Sequence, residues 1–410
     1  DEALVAAKAL GKWAYNRLRV LPQEQLTKMW DMYIAGEFGG FNECMAELYL
    51  YAKADGDADA DVFLAGAKLF DNTRFFRNLA ANVDDIQNRH ANQHIPQIIG
   101  AIKMYEATVT AGQPEMYYYN VAENFWQMTV SRYAYSTGGV GLGEKFTEPY
   151  KQANYIGARN CETCAAYNMM KLSMMLNNYD PDNAEYMDYY ERTLYNQILA
   201  SQSPIVTDDK HNSTTYMLPI CPGAWKSSEL SDDYNSFTCC HGTGMENHVK
   251  YQEAAYAKTA DTLYVGLYLP STVSWQEKGV KVVQETAFPS ETTKLTVQKL
   301  GNAAAQSFDM KLRVPYWATK GFSVKVNGEQ KIANAQASSY VSLKGIKEND
   351  VIEVTMPWNL HLDKTPDTLD GSEVASIMYG PFVMAAQDSS TNWLNIVLTT
   401  KLDDHITVST

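Results

Sequence analysis

Hydrophobic positions in the first half of the chain recur at the spacing of an α-helix. In the segment IPQIIGAIKMYEATVTAG the isoleucines lie three and four residues apart, with Pro96 near the expected start and Gly112 as a stop signal. The segments AENFWQMTVSRYAY and YYERTLYNQILAS also predict helices, the second with Tyr190, Leu194 and Ile198 on one face. No strand pattern separates these helices, so the first half predicts an all-α array rather than a βαβ protein.

The pattern changes after about residue 260, where short segments rich in β-branched and aromatic residues follow one another. DTLYVGLYLPSTVSW, FDMKLRVPYW and DVIEVTMPW are typical of strands. Asn327 and Gly328, within VNGE, form a strong hairpin turn signal. We therefore predict an α+β multidomain protein, with a helical domain over residues 1–261 and a β-sandwich over residues 262–410.

Length and charge limit the class of protein. A chain of 410 residues with 45% hydrophobic residues can bury the cores of two or three domains. The net charge of −14 disfavours nucleic acid and anionic membrane surfaces as partners and leaves neutral molecules such as glycans. No apolar run reaches the roughly 18 residues of a membrane span, and no signal-peptide pattern is found in the sequence.

Clustered cysteines mark a candidate site. Six cysteines in a chain of this length do not make a disulfide scaffold, but four of them fall into two tight groups. The six are Cys44, Cys161, Cys164, Cys221, Cys239 and Cys240. The adjacent pair in SFTCCHGTGMEN is compatible with a metal clip, a vicinal disulfide, a nucleophile or two core residues.

Thiol and carboxyl side chains near these cysteines form a candidate metal site. Zinc usually binds four thiolate, imidazole or carboxylate ligands in a tetrahedron. The candidate ligands are Glu162, Cys164, Cys239 and Cys240. Cys161 and His241 are rival ligands, and a buried structural role or a disulfide also fits the spacing. The C-x-x-C spacing at 161/164 also occurs in redox motifs, but no βαβ context accompanies it.

Four further side chains are candidates for a pocket. Glu144 follows a glycine-rich loop in GGVGLGEKF, where a solvated loop carboxylate is the simpler interpretation. His90 and His94, in RHANQHIPQ, are four residues apart and would face one pocket on a helix, with hydrogen-bonded core histidines as the alternative. A zinc site on this pair has no HExxH pattern to support it. Tyr216, in TTYMLP, is a candidate pocket residue with a core position as the alternative.

Six segments occur in a characteristic order between Gly36 and Asn247, within a stretch of similarity from about Leu10 to Lys258. They are GEFGGFNECMAELY, RHANQHIPQIIGAIKMYE, GGVGLGEKF, CETCAAYNMMKL, YYERTLYNQILAS and CCHGTGMEN. Together they resemble the β-L-arabinofuranosidase glycoside hydrolases. The resemblance implies an (α/α)6 barrel followed by a β-sandwich. It also implies a retaining hydrolase that releases terminal β-L-arabinofuranose from plant glycans or glycoproteins, in the periplasm or outside a bacterial cell.

The resemblance also implies roles for individual residues. Cys239 is implied as the nucleophile and Glu144 as the general acid/base, with His90 at the sugar site. The implied ligands of Zn²⁺ are Glu162, Cys164, Cys239 and Cys240. About nine candidate helices precede residue 240 and a complete barrel has twelve, so we expect a barrel that is incomplete at its N-terminus. The alternatives are a glycan-binding scaffold with structural zinc and a glycosidase for another sugar.

Overall fold

The helices of the protein come first in the chain and its strands follow. The computed structural model describes residues 2–32, 38–203, 206–208, 211, 213–226, 230–302, 304–387, 390–396 and 401–408. The α-helices are α1 (Glu2–Leu18), α2 (Gln23–Trp30), α3 (Phe41–Ala54), α4 (Ala60–Lys68), α5 (Thr73–Ala80), α6 (Ala91–Thr110), α7 (Met116–Arg132), α8 (Thr163–Asn177), α9 (Ala184–Thr193), α10 (Leu199–Ser201) and α11 (Cys239–Asn247). Among the described residues, no helix is long and apolar enough to cross a membrane.

Helix α6 forms the centre of the helical core, and its isoleucines are fully buried there. It begins five residues before Pro96, because the side chain of His90 caps it by accepting a hydrogen bond from the Gln93 N–H. It ends at Thr110, and Gly112 follows with φ +75°. The predicted stop is confirmed, while the predicted start was too late because a histidine cap was not expected.

The third helix predicted from periodicity is also present, in a modified form. Helix α9 continues into a π-helical turn over Leu194–Ile198 and then into α10. Tyr190, Leu194 and Ile198 are buried in one apolar cluster, which confirms the predicted face. This cluster also contains Leu267 and Leu269, so it joins the helices to the strands that follow.

Two sheets enclose the core of the β-region. The strands are β1 (Tyr256–Lys258), β2 (Thr262–Val265), β3 (Ser271–Trp275), β4 (Val280–Glu285), β5 (Thr292–Lys299), β6 (Phe308–Val314), β7 (Ser323–Val326), β8 (Glu329–Ile332), β9 (Ser339–Ile346), β10 (Val351–Thr355), β11 (Leu360–Leu369), β12 (Ser372–Tyr379) and β13 (Phe382–Val383). One sheet has the order β1-β2-β6-β9 and the other β3-β4-β5-β10-β7-β8. Asn327 and Gly328 turn the β7–β8 hairpin with positive φ, as predicted.

A third sheet, β11-β12-β13, contacts the helical part of the chain. The Asp367 carboxylate accepts hydrogen bonds from the backbone N–H groups of Ala153 and Asn154, at 2.9 and 3.2 Å. The Asn196 side chain accepts a hydrogen bond from the Val383 N–H at 2.8 Å. The region predicted as one sandwich over residues 262–410 thus also supplies a sheet that packs on the helices.

A buried arginine connects the sandwich to the helices. Arg313 on β6 is fully buried and forms salt bridges with Asp188 and Glu191 of α9. The Trp317 Nε1–H also donates to Glu191, at 2.8 Å. This polar network fixes α9 against the sandwich, and α9 in turn packs against α8, which carries part of the candidate site.

Candidate active site

Glu144 lies on a tight turn. The backbone groups of Leu142 and Lys145 exchange hydrogen bonds of 3.0 and 3.3 Å, so Gly143 and Glu144 are the two central residues. Both have positive φ, +56° and +70°, as in a type I′ turn. A non-glycine residue with this conformation is strained and persists only where its surroundings hold it. The turn therefore holds the Glu144 side chain in a defined place.

Backbone pairing brings His90 beside this turn. The Ala91 N–H donates to the Glu144 carbonyl at 2.8 Å. His90 Nε2 then lies 3.1 Å from Glu144 Oε2, while His90 Nδ1 accepts the Gln93 N–H at 3.3 Å. The imidazole thus connects the N-terminus of α6 to the carboxyl group of Glu144.

Tyr216 connects Glu144 to the cysteines. The Thr163 N–H donates to the Tyr216 carbonyl at 3.0 Å, which holds Tyr216 at the start of α8. The Tyr216 hydroxyl donates to Glu144 Oε1 at 2.6 Å and lies 3.6 Å from Cys239 Sγ. Burial, together with the hydrogen bond to Glu144, raises the pKa of Tyr216, so the phenol stays protonated.

Two helix N-termini meet at one carboxyl group and three thiols. Glu162 is the N-cap of α8 and Cys164 lies in its first turn, while Cys239 and Cys240 are the first two residues of α11. A helix N-terminus carries partial positive charge and stabilises thiolates. The ligand atoms of these four residues lie within 4.8 Å of one another.

This group of four, called the ligand group below, fits a metal ion that prefers sulfur. Tetrahedral zinc with Zn–S bonds of about 2.3 Å sets its sulfurs roughly 3.8 Å apart. The ligand group needs only a small contraction to reach that spacing, and Cys240 Sγ already lies 3.6 Å from Glu162 Oε1. Glu162, Cys164 and Cys240 are buried, whereas Cys239 is exposed. A metal ion held there would have one ligand that a substrate can reach.

Interactions among the three thiols shift their pKa values in different directions. The bond to Cys164, followed by the bond to Cys240, holds the pKa of Cys239 well below its usual range. The bond to Cys239 raises the pKa of Cys164, and the bonds to both other thiols raise that of Cys240.

The two rival ligands lie outside the ligand group. The buried thiol of Cys161 lies 3.7 Å from Thr137 Oγ1, and burial raises the pKa of this thiol to about 12. The ring of His241 lies edge-on to Tyr216, with centroids 6.3 Å apart. Cys161 therefore supports the loop beside the site, and His241 lies against the bridging tyrosine.

His94 contacts a different set of residues from His90. Its Nδ1–H donates to the His90 carbonyl at 2.9 Å, and its Nε2 lies 3.3 Å from Arg89 Nη1. Burial lowers the pKa of His94 to about 4, so the ring is neutral. The ring also packs edge-on against Phe75. Of these two histidines, it is His90 that the hydrogen bonds join to Glu144.

Sequence reasoning did not single out Asn160, which supports the turn of Glu144. This buried side chain donates to the carbonyls of Gly141 and Tyr155, at 3.0 Å each, and accepts the Gly157 N–H. Its position directly before the C-x-x-C motif was the one available signal. The nearby Gly141 has φ +80°, and a Cβ there would lie 2.8 Å from the Lys145 carbonyl oxygen.

Comparison with known families assigns this combination of domains. Residues 1–253 match the beta-L-arabinofuranosidase GH127 catalytic domain, and residues 262–358 match the GH127 middle domain. These matches place the chain in the class of glycoside hydrolase domains. More narrowly, the chain belongs to the GH127 beta-L-arabinofuranosidase family.

A named relative matches part of the chain. The chain is 24% identical over 284 residues to the non-reducing end beta-L-arabinofuranosidase of Bifidobacterium longum subsp. longum. The match covers 65% of this chain and 42% of the relative, so the chain spans less than half the length of that protein.

Solved structures share the fold. A GH127 beta-arabinofuranosidase matches with a TM-score of 0.65 and 24% identity, over 84% of this chain and 55% of its own. A GH127 beta-L-arabinofuranosidase from Geobacillus stearothermophilus T6 matches with a TM-score of 0.61 and 18% identity, over 88% and 61%. The helical domain followed by a β-sandwich-like domain is consistent with the (α/α)6 barrel and sandwich expected from the sequence.

Proposed function

We propose that the protein is a retaining glycoside hydrolase that releases terminal β-L-arabinofuranose from plant glycans or glycoproteins. The line of contacts from His90 through Glu144 and Tyr216 to Cys239 carries this proposal. It sets a carboxyl group and an exposed thiol on either side of one hydroxyl, with the remaining metal ligands behind the thiol. The choice of sugar rests on membership of the GH127 family.

The separation of Glu144 and Cys239 supports retention of configuration. Glu144 Oε1 and Cys239 Sγ lie 2.6 and 3.6 Å from the Tyr216 hydroxyl oxygen. The distance from Oε1 to Sγ therefore cannot exceed the sum of these two distances. That bound is shorter than the roughly 6.5–9.5 Å between the two groups of an inverting glycosidase. It leaves room for a direct attack on the sugar but not for a water molecule between sugar and sulfur.

The proposed reaction has two displacements at the anomeric carbon. The Cys239 sulfur attacks that carbon, the glycosidic C–O bond breaks, and the leaving oxygen takes the proton of Glu144. Glu144 then removes a proton from water, the water oxygen attacks the same carbon, and the C–S bond breaks with the sulfur leaving as thiolate. Two inversions give overall retention, and Glu144 ends the cycle protonated.

The proposed metal is zinc, held by the ligand group. Three sulfur ligands favour a soft ion over magnesium or calcium. Bound zinc would keep the thiols deprotonated and would stabilise the sulfur as it leaves the sugar. Glu162, Cys164 and Cys240, the buried members of the ligand group, would hold the metal ion together with Cys239.

A purely structural metal site is the competing interpretation. Structural zinc sites are closed, with all four positions taken by protein ligands. Cys239 is exposed and lies beside a carboxyl group and a phenol, which a structural site does not require. This exposure favours the catalytic interpretation over a glycan-binding scaffold.

The test compares two active-site variants with two matched controls. Glu144→Gln and Cys239→Ser are measured for hydrolysis of methyl and p-nitrophenyl β-L-arabinofuranoside and for zinc content. The controls are Glu148→Gln, at an exposed carboxylate four residues away, and Cys44→Ser, at an exposed free thiol on α3.

We expect Cys239→Ser to abolish turnover and Glu144→Gln to reduce it about 10²–10⁴-fold on the methyl glycoside. Zinc content should stay full in Glu144→Gln and fall only partly in Cys239→Ser, because three ligands remain. Both controls should match the parent. Full activity of Cys239→Ser would remove the nucleophile assignment, and a zinc-loaded parent that hydrolyses neither glycoside would remove the proposed substrate.

We also propose that the protein works in the periplasm or outside the cell, where plant polymers are encountered. This follows from the proposed substrate. Fractionation of the source cells with an antibody to the chain checks it, and recovery in the cytoplasmic fraction alone would contradict it.

A further inference from the structure

We propose that His90 is a positioning residue for Glu144. By capping α6 through Nδ1, His90 keeps its proton on Nε2 and donates it to Glu144 Oε2, which leaves Oε1 to carry the catalytic proton. This inference rests on the proposed role of Glu144 as acid/base. It changes the role of His90 from a contact of the sugar to a support of the acid.

The helix cap determines the position of the imidazole proton. A nitrogen that accepts a hydrogen bond from a backbone N–H cannot itself carry a proton. Nδ1 accepts the Gln93 N–H at 3.3 Å, so the proton of the neutral ring lies on Nε2. Nε2 is the atom 3.1 Å from Glu144 Oε2, and it therefore acts as the donor.

The two oxygens of Glu144 consequently have different partners. Oε2 faces His90 Nε2, which can only donate. For Nε2 to accept instead, the proton would have to move to Nδ1, and the cap of α6 would be lost. Oε1 faces the Tyr216 hydroxyl at 2.6 Å, and a hydroxyl can either donate or accept. When Glu144 is protonated, its O–H group must donate a hydrogen bond. The proton therefore lies on Oε1, because the Tyr216 hydroxyl can rotate and accept that bond. Oε1 is also the oxygen on the side of Cys239.

The backbone keeps this arrangement in register. His90 and Lys145 form an isolated antiparallel bridge, and the Ala91 N–H donates to the Glu144 carbonyl. Backbone contacts therefore hold the start of α6 against the turn that carries Glu144. A shift of α6 relative to the turn would separate His90 Nε2 from Glu144 Oε2.

The first experiment compares two substrates with different leaving groups. The comparison distinguishes an effect of His90 on Glu144 from a general effect on folding. His90→Asn keeps an oxygen that can cap α6, but its side chain is too short to reach Glu144. Hydrolysis of methyl β-L-arabinofuranoside depends on the acid, whereas p-nitrophenolate leaves with little help. We expect kcat/KM to fall roughly 10–100-fold for the methyl glycoside and several-fold less for the aryl glycoside.

Asn183→Ala is the matched control, because it removes the side-chain cap of α9. It should lower Tm without changing the ratio of the two substrates. Equal losses of both substrates in His90→Asn would mean a merely structural role and would overturn the proposal. So would a variant with parental rates on the methyl glycoside.

The second experiment measures which ring nitrogen of His90 carries the proton, and it does not require an active enzyme. Nitrogen chemical shifts of ¹⁵N-histidine-labelled protein distinguish a protonated ring nitrogen from a bare one, and the His90 signals are identified by their loss in His90→Asn. We expect bare Nδ1 and protonated Nε2 at neutral pH. A proton on Nδ1, or on both nitrogens, would overturn the proposal. If the parent hydrolyses neither glycoside, the proposed function fails while this measurement still decides the tautomer.

Discussion

At the scale of single residues, the Tyr216 hydroxyl lies between the proposed acid and the proposed nucleophile. It contacts Glu144 and Cys239, which are separated from it by 72 and 23 positions in the chain. The ring is held independently, by the backbone of the segment beside α8 and by the edge contact with His241. The hydroxyl can therefore be removed without moving the ring.

Tyr216→Phe should lower kcat/KM about 10–100-fold, because its hydrogen bond to Glu144 is lost while packing remains. Zinc content should not change, since Tyr216 is outside the ligand group. Both quantities are measured beside Tyr234→Phe, which removes the hydroxyl of a tyrosine that is 84% exposed. Parental kcat/KM in Tyr216→Phe would mean that the bridge is not used in catalysis.

At the scale of elements, short turns and helix N-termini hold the site together. His90 caps α6 and Glu162 is the N-cap residue of α8. Cys164 lies in the first turn of α8, and Cys239 and Cys240 begin α11. The carboxyl group of Glu144 comes from a turn in which Gly141 and Gly143 adopt positive φ. Site geometry thus depends on loop conformations that glycine permits.

Gly141→Ala should displace the turn of Glu144 and lower activity at least tenfold. An alanine costs roughly 1–2 kcal/mol at positive φ, and its Cβ would also lie 2.8 Å from a backbone oxygen that cannot move freely. Kinetics and Tm are measured together. Gly112→Ala is the control, because Gly112 also has positive φ but has nothing within 4 Å of the new Cβ.

The control should lose roughly 1–2 kcal/mol of stability and keep its activity. If the two alanine variants behave alike, backbone strain alone explains both and the close approach at Gly141 has no effect on the site.

At the scale of the whole molecule, Arg313 joins the sandwich to the helical domain. It is fully buried between Asp188 and Glu191, and both carboxyl groups are also nearly buried. Removing one member of such a network leaves uncompensated buried charge. The sandwich therefore contributes to the stability of the helices that carry the site.

Arg313→Met should lower the free energy of unfolding by about 3–5 kcal/mol in chemical denaturation. Lys344→Met, which removes an exposed ion pair on the neighbouring strand β9, should have little effect. A similar small loss in Arg313→Met would show that the buried network does not hold the domains together.

The loss in Arg313→Met should depend on pH. Burial raises the pKa of Asp188 and of Glu191 even beside the guanidinium. A carboxyl group with a raised pKa in the folded state binds its proton more tightly there, so its contribution to stability is present at low pH and lost as pH rises through the folded pKa. Without the cation this effect grows, so the variant should be closer to the parent near pH 5 than near pH 8.

Local signals were enough to predict the helices, the hairpin at Asn327 and the change from helix to strand. Each of these depends on the spacing and type of neighbouring residues, which the sequence displays directly. The histidine cap before α6 and the third sheet were not predicted. The cap depends on the orientation of the His90 ring, which the sequence does not display. The strands of the third sheet have the same local pattern as those of the sandwich, so the sequence does not show that this sheet packs on the helices.

The sequence by itself determined the order of elements and offered Glu162, Cys164, Cys239 and Cys240 as candidate ligands beside the rivals Cys161 and His241. Family resemblance added the candidate roles of Glu144 and Cys239. Only the tertiary structure decided that Glu162 and Cys164 meet Cys239 and Cys240, that Cys161 is excluded, and that Tyr216 joins Glu144 to Cys239. The reason is physical: these contacts join residues far apart in the chain, and their distances follow from how α6, α8 and α11 pack together rather than from any local pattern.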